Sequence, residues 1–185
     1  MGSAGATADR MRHLAAGESP HGAWEERHAM MMPENHKVIS TLNHLIMTCK
    51  DGQEGLSKAA DGVKSEELKS IFRDCARQRT DLLSELQIEV LRLGGAPGKE
   101  GSLDGALHRG WLNLKTALSG EDEVDVVEAA ERGEDIAVQH YQAALKEDMP
   151  QQVRTILQRQ YNQVKHAHDR ISALKRERAG SRAES

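Results

Sequence analysis

Residues 128–141 have the sequence EAAERGEDIAVQHY, which places carboxylates on a helix face that should be apolar. The surrounding residues follow spacings of three, four and seven, typical of an amphipathic helix facing a bundle core: Val124, Val127, Val138, Tyr141 and Leu145. Extending that face through the gap turns Glu131 and Glu134 inward. Buried carboxylates are costly unless they are paired or bind a cation. The stretch therefore predicts a polar layer inside a helical bundle; the alternative is a rotated helix with both glutamates in solvent.

The composition is that of a helical protein without a nucleic-acid or membrane partner. Hydrophobic residues at 38% and charged residues at 29% are ordinary for a soluble chain, and aromatic residues at 3% argue against sheets. The net charge of -4 provides no basic surface for nucleic acid, and no apolar run is long enough for a membrane span. The N-terminus lacks an apolar signal core, and Cys49 and Cys75 fall on apolar helix faces. We therefore expect a cytoplasmic protein.

The apolar periodicity predicts four long helices between two tails. Residues 1–32 have no sustained period, so we expect a disordered N-terminal tail there. The four-helix bundle is expected over residues 33–176, and residues 177–185 form a short polar tail. The predicted boundaries are a first helix from Pro33 or Asn35 to Gly62, a second from Ser65 to Gly94–Gly95, a third from Glu121 to Lys146 and a fourth ending at Arg176.

Residues 95–122 are long enough to run the length of the bundle as a crossover. Within them, ALHRGWLNLKTAL at 106–118 predicts a short helix, and Trp111 is expected to pack against the bundle side. Such a connection brings the third helix parallel to the second. The predicted fold is two antiparallel hairpins joined by a crossover.

Polar residues interrupt the apolar face of each predicted helix at a similar depth from the first hairpin turn. These residues are Gln53 and Glu54, Gln78 and Arg79, Glu131 and Glu134, and Lys165 and His168. Gly52 and Gly55 inside the first helix indicate close packing of another element or a kink, because glycine costs about 1 kcal/mol relative to alanine in a helix. One polar layer is therefore expected to cross the bundle.

The layer supports either a charge network or a reduced metal site. A dimetal-carboxylate bundle needs a Glu from each of two helices and a Glu-x-x-His from each of the other two. Here the second helix offers no His, and the fourth places Lys165 where the carboxylate belongs. A complete site is absent from this pattern. The residues left as metal ligands are Glu54, Glu131, Glu134 and His168.

Several short motifs resemble a bacterial ferritin-like four-helix-bundle family known only as a domain of unknown function. They are LNHLI (42–46), DGQEG (51–55), LGGAPGKEGS (93–102), LHRGW (107–111), ERGED (131–135) with Tyr141, and HDRI (168–171). The resemblance covers about residues 38–175. It implies a ferritin-like bundle with a crossover and no established activity.

Three functional hypotheses follow from these observations. The first is a non-catalytic structural or binding bundle without a cofactor, for which a stress-related role is one possibility. In it, Glu131 and Glu134 pair with Arg79, Lys165 or His168. The second is a ferritin-like oxidase or iron-handling protein that binds iron or manganese. The third is a helical module that binds a second copy of itself or another protein through Arg109 and Trp111. The first is favoured because no nucleophile–base arrangement accompanies the incomplete metal site.

Overall fold

The computed structural model describes residues 20–98 and 122–183, with side chains for residues 35–98 and 122–178. The chain divides into two compact units, residues 1–36 and residues 37–185, and the packing described below belongs to the second. Four α-helices account for the regular structure of the described residues, which contain no strand. The helices are α1 (Pro20–Gly62), α2 (Glu66–Arg92), α3 (Glu123–Lys146) and α4 (Gln151–Ala183). The predicted all-helical, four-helix architecture is confirmed.

Two helix boundaries differ from the predicted ones by more than one helical turn. α1 begins at Pro20 rather than at Pro33 or Asn35, and α4 ends at Ala183 rather than at Arg176. Both extensions consist largely of Ala, Glu, Met and Arg, which favour helix without forming an apolar face. A prediction based on apolar periodicity therefore stops short of them. The disordered tail stays a prediction for residues 1–19, which lie outside the described residues.

Side-chain caps mark the starts of α2 and α3. The Ser65 side chain accepts a hydrogen bond from the Leu68 backbone N–H, and Asp122 caps α3 by accepting from the Val124 backbone N–H at 2.9 Å. α2 ends at Arg92, and Gly94 follows with a φ of 82°, a conformation that favours glycine.

Side-chain contacts fix the relative directions of the helices. Glu123, at the start of α3, accepts hydrogen bonds from the backbone N–H groups of Lys64 and Ser65, just before α2. Arg178, near the end of α4, donates to the same carboxylate at 3.3 Å. α2 and α3 therefore start at the same end and run parallel, whereas α4 runs antiparallel to both. This is the arrangement that a crossover requires. The crossover itself, with its predicted helix at 106–118, Arg109 and Trp111, lies in residues outside the described range and stays a prediction.

The bundle core consists of two apolar clusters, to each of which all four helices contribute. The cluster towards the start of α2 comprises Leu56, Ala59, Ala60, Val63, Leu68, Ile71, Phe72, Cys75, Ala76, Val126, Val127, Ala129, Ala130, Ala167, Ile171 and Leu174. The other comprises Val38, Ile39, Leu42, Leu45, Ile46, Cys49, Leu82, Leu86, Val90, Ala137, Tyr141, Ala144, Val153, Leu157 and Val164. On α2 and α3, buried Arg79 and Glu134 lie between the residues of the two clusters. The core is thus divided by a charged layer.

Glu123 provides a pH-dependent contribution to stability at the α1–α2 turn. Partial burial by itself would raise the pKa of Glu123, but the Ser65 and Lys64 backbone N–H groups and Arg178 lower the pKa overall. A carboxyl whose pKa is lower in the folded protein than its unfolded value of about 4.3 stabilises the fold above that value. This contribution is lost as the pH falls through the folded-state pKa.

We expect Glu123→Gln to lower the free energy of unfolding by about 1 kcal/mol at pH 7, since the carboxylate is partly solvent-screened. The difference from wild type should begin to decline as the pH falls below about 4.3 and should be lost once the pH is below the lowered folded-state pKa. Urea denaturation across this pH range measures it, with Glu54→Gln at an exposed position of α1 as the matched control. A difference that stays constant down to pH 3 would contradict the assignment.

Candidate functional site

A buried ion pair occupies the middle of the bundle. Arg79 of α2 donates from Nη2 to Glu134 Oε2 of α3, and the two side chains are 1% and 2% exposed. Burial by itself would lower the pKa of Arg79, but the Glu134 carboxylate outweighs it and raises that pKa, so the guanidinium stays charged. The predicted inward position of Glu134 is confirmed, with Arg79 as its partner, whereas Glu131, which was also predicted to face inward, pairs with Lys175 at the α3–α4 edge.

Gly52 of α1 packs directly against this pair. A Cβ atom at position 52 would lie 3.3 Å from Arg79 Nε and 3.4 Å from Arg79 Cδ. A side chain at position 52 would therefore require the Arg79 side chain to shift by a few tenths of an ångström, and glycine leaves room for it in its present position. The close packing predicted from a glycine inside the helix is confirmed at Gly52.

The ion pair satisfies only part of the hydrogen-bonding capacity in the layer. Arg79 Nε and Nη1 are buried without a hydrogen-bond partner among the described residues, and so are the Oε1 atoms of Gln78 and Gln163. A buried polar network is strongly destabilised when one member is removed, because its neighbours have no water to replace the lost contact. Glu134 is therefore the main compensation for the Arg79 charge.

A second polar network connects the four helices next to the Arg79–Glu134 pair along the bundle. Tyr141 Oη of α3 lies 3.3 Å from Cys49 Sγ of α1 and donates to Gln160 Oε1 of α4 at 2.8 Å. Gln160 Nε2 in turn donates to Glu85 Oε2 of α2 at 2.6 Å. The apolar periodicity placed Tyr141 on the inward face of α3, but it gave no signal for Glu85. This network links all four helices through Cys49, Tyr141 and Gln160 in the core, and it ends at the part-buried carboxylate of Glu85.

The two cysteines are structural rather than reactive. Both are free and buried. Burial raises the pKa of the Cys49 thiol and of the Tyr141 hydroxyl, and it raises the pKa of Cys75 to about 11. A nucleophilic cysteine needs a lowered pKa. Neither thiol has the properties of a catalytic nucleophile.

A group of ionisable side chains lies on the edge between α3 and α4. One ligand atom from each of Glu131, Asp135 and His168 falls within 4.8 Å of the others. His168 Nε2 lies 2.8 Å from Asp135 Oδ1, and His168 Nδ1 lies 3.0 Å from Asp169 Oδ1. Glu131 accepts from Ser172 Oγ at 3.1 Å and from Lys175 Nζ at 2.9 Å. Partial burial would raise the pKa of Glu131, but the Lys175 ammonium outweighs it and lowers that pKa.

The four predicted metal ligands are not brought together. Glu54 is exposed on α1, and Glu134 is bound to Arg79. Glu131 and His168 do meet, together with Asp135, which the sequence analysis did not select. The signal for Asp135 is its position one helical turn after Glu131, on the same face of α3.

Lys165 does not enter the layer. It is exposed on α4 and pairs with Asp169 at 2.5 Å, so its expected position in the core is wrong. Lys165 and Arg79 lie at a similar depth along their helices, so the sequence gave them equal standing as partners for the glutamates. The rotation of each helix about its own axis turns Arg79 into the core and Lys165 to solvent. His168, which was also expected in the layer, lies half-buried at the α3–α4 edge, where its Nε2 is 2.8 Å from Asp135 Oδ1 of the third helix.

The fold and this layer define an all-helical bundle protein with a charged core. The chain belongs to the family described as Domain of unknown function (DUF2383), whose model matches residues 37–147, more than half of the chain. No match was found among curated proteins. Among the described helices, none has a stretch long and apolar enough to cross a membrane.

Proposed function

We propose that this protein is a non-catalytic, ferritin-like structural or binding bundle. A network of paired charges occupies the place in its core where related bundles could bind metal. The observation that carries the proposal is the Arg79–Glu134 pair, buried between two apolar clusters. In dimetal-carboxylate bundles, inward-facing carboxylates of this kind hold metal ions. Here the carboxylate is taken by a fixed positive charge.

Electrostatics supports a network over a core metal site. A divalent cation placed beside Glu134 would face the Arg79 guanidinium at short range and low dielectric, where like charges repel strongly. Removing that guanidinium from the carboxylate would leave a buried charge without compensation. The ion pair therefore competes with any core metal for the same ligand.

The second candidate is an iron- or manganese-handling protein that uses Glu54, Glu131, Glu134 and His168. The proximity of Glu131 and His168 favours it. The exposure of Glu54 and the pairing of Glu134 count against it. We further propose a cytoplasmic location, because both cysteines are free and buried.

Iron oxidation by the full-length, tag-free protein tests the two candidates. Metal-free protein is mixed with Fe(II) in air, and formation of Fe(III) is followed by absorbance beside protein-free buffer. We expect the same rate in both samples, for the wild type and for Glu134→Gln. Fe(II) oxidation above the buffer rate that is lost in Glu134→Gln but kept in Glu54→Gln at the exposed position would overturn the charge-network proposal.

A further inference from the structure

The edge group on α3 and α4 has the geometry of a cation site that is separate from the core layer. Glu131 and Asp135 are one helical turn apart on α3, so both carboxylates project from the same face. His168 reaches this face from the neighbouring helix α4. The side chains are half-buried, so an ion could enter from solvent without opening the bundle.

The contacts of the two His168 ring nitrogens point to the same conclusion. Both of its ring nitrogens face carboxylate oxygens, Asp169 at Nδ1 and Asp135 at Nε2. A neutral imidazole has one N–H, so it can donate to only one of them, and the other nitrogen then directs a lone pair at a carboxylate. A second proton or a metal ion at Nε2 removes this conflict. In metal sites, a ligating histidine commonly donates its other ring N–H to a carboxylate, which is the place that Asp169 occupies.

The ligand types select the metal. Zn²⁺ accepts both imidazole nitrogen and carboxylate oxygen as ligands, and three protein ligands with water at the fourth position complete its tetrahedral geometry. Mg²⁺ and Ca²⁺ prefer oxygen ligands alone. Tetrahedral zinc holds its ligand atoms about 3.4 Å apart, from metal–ligand distances of about 2.1 Å. The three atoms, within 4.8 Å of one another, can reach that spacing through side-chain rotation.

We propose that Glu131, Asp135 and His168 form a Zn²⁺ site on the α3–α4 edge, with Asp169 orienting the imidazole and Lys175 competing with the ion for Glu131. Lys175 Nζ bonds to Glu131 Oε2, and its side chain is one-third exposed, so it can move into solvent when zinc enters. This inference goes beyond the proposed function and does not depend on it, because it involves neither Arg79 nor Glu134.

Calorimetry and thermal unfolding of the full-length, tag-free protein with ZnSO₄ test the site. The wild type should bind one equivalent of zinc that His168→Ala and Asp135→Asn lose, and zinc should raise the midpoint of unfolding of the wild type but not of these variants. Histidines near the N-terminus can add weak binding, but the variants leave that unchanged. His166→Ala, at an exposed position two residues before His168, is the matched control and should bind as the wild type does.

Two further variants separate a built site from general surface attraction. Asp169→Asn should weaken zinc binding about tenfold through the orientation of the ring. Lys175→Ala should tighten binding, because it removes the competing ammonium from Glu131. Equal zinc binding by the wild type, His168→Ala and Asp135→Asn would overturn the proposal. If His168→Ala does not fold by circular dichroism, Asp135→Asn decides the outcome.

Discussion

Glu134→Gln is expected to lower the free energy of unfolding by about 3–5 kcal/mol, the usual result of breaking a buried ion pair from one side. The substitution keeps the shape of the side chain and removes its charge, so Arg79 is left buried without a counter-charge. Arg79 is 1% exposed, so bulk solvent does not screen the charge that remains. Chemical denaturation at pH 7, followed by circular dichroism, measures the change.

Two comparisons make this result specific to the buried pair. Glu128→Gln, on the same helix, removes a half-exposed carboxylate 3.5 Å from Arg132 and should change stability by less than about 0.5 kcal/mol. The double variant Arg79→Met with Glu134→Leu removes both charges and should recover most of the loss, because apolar replacements of buried ion pairs are often neutral or stabilising. A loss in Glu134→Gln no larger than that in Glu128→Gln would show that the pair does not stabilise the fold.

Phe72→Ala is expected to produce a loss of similar size, about 3–5 kcal/mol, for a different reason. Phe72 is fully buried on α2, and it is the single phenylalanine of the chain. Its removal leaves a cavity in the apolar cluster nearest the α1–α2 turn, and rigid helices on all sides limit collapse. The shift of the urea midpoint at constant slope measures this loss.

Ile88→Ala is the control for the loss of apolar surface alone. Ile88 lies on the same helix and is 67% exposed, so its truncation should change stability by less than about 0.5 kcal/mol. A loss below about 1.5 kcal/mol in Phe72→Ala would mean that the cluster closes around the cavity, contrary to the packing described here.

The sequence predicts the layer more reliably than the contacts within it. The period of three and four fixes which face of α3 is buried, and this was enough to turn Glu134 inward. Depth along a helix is known only to about one turn, so Arg79, Lys165 and His168 remained equivalent partners. Only the packed helices show that Arg79 points to the axis and Lys165 to solvent.

The residues that the sequence missed share a physical cause. Asp135 lies next to Glu134 on α3, off the apolar face, and it meets His168 because α4 passes at that edge. Glu85 enters the second network through the reach of Gln160 from another helix. Contacts of long polar side chains between helices depend on helix rotation and on rotamers, neither of which leaves a periodic signal.

The close approach of Gly52 to Arg79 affects which substitutions the chain can accept during evolution. A side chain at position 52 would push against a guanidinium that Glu134 holds in place. Losing the arginine alone would leave Glu134 buried without a counter-charge, and losing the glutamate alone would leave the arginine in that state. We therefore expect Arg79 and Glu134 to be replaced together more readily than singly, and a side chain at position 52 to be accepted more readily once Arg79 has been lost.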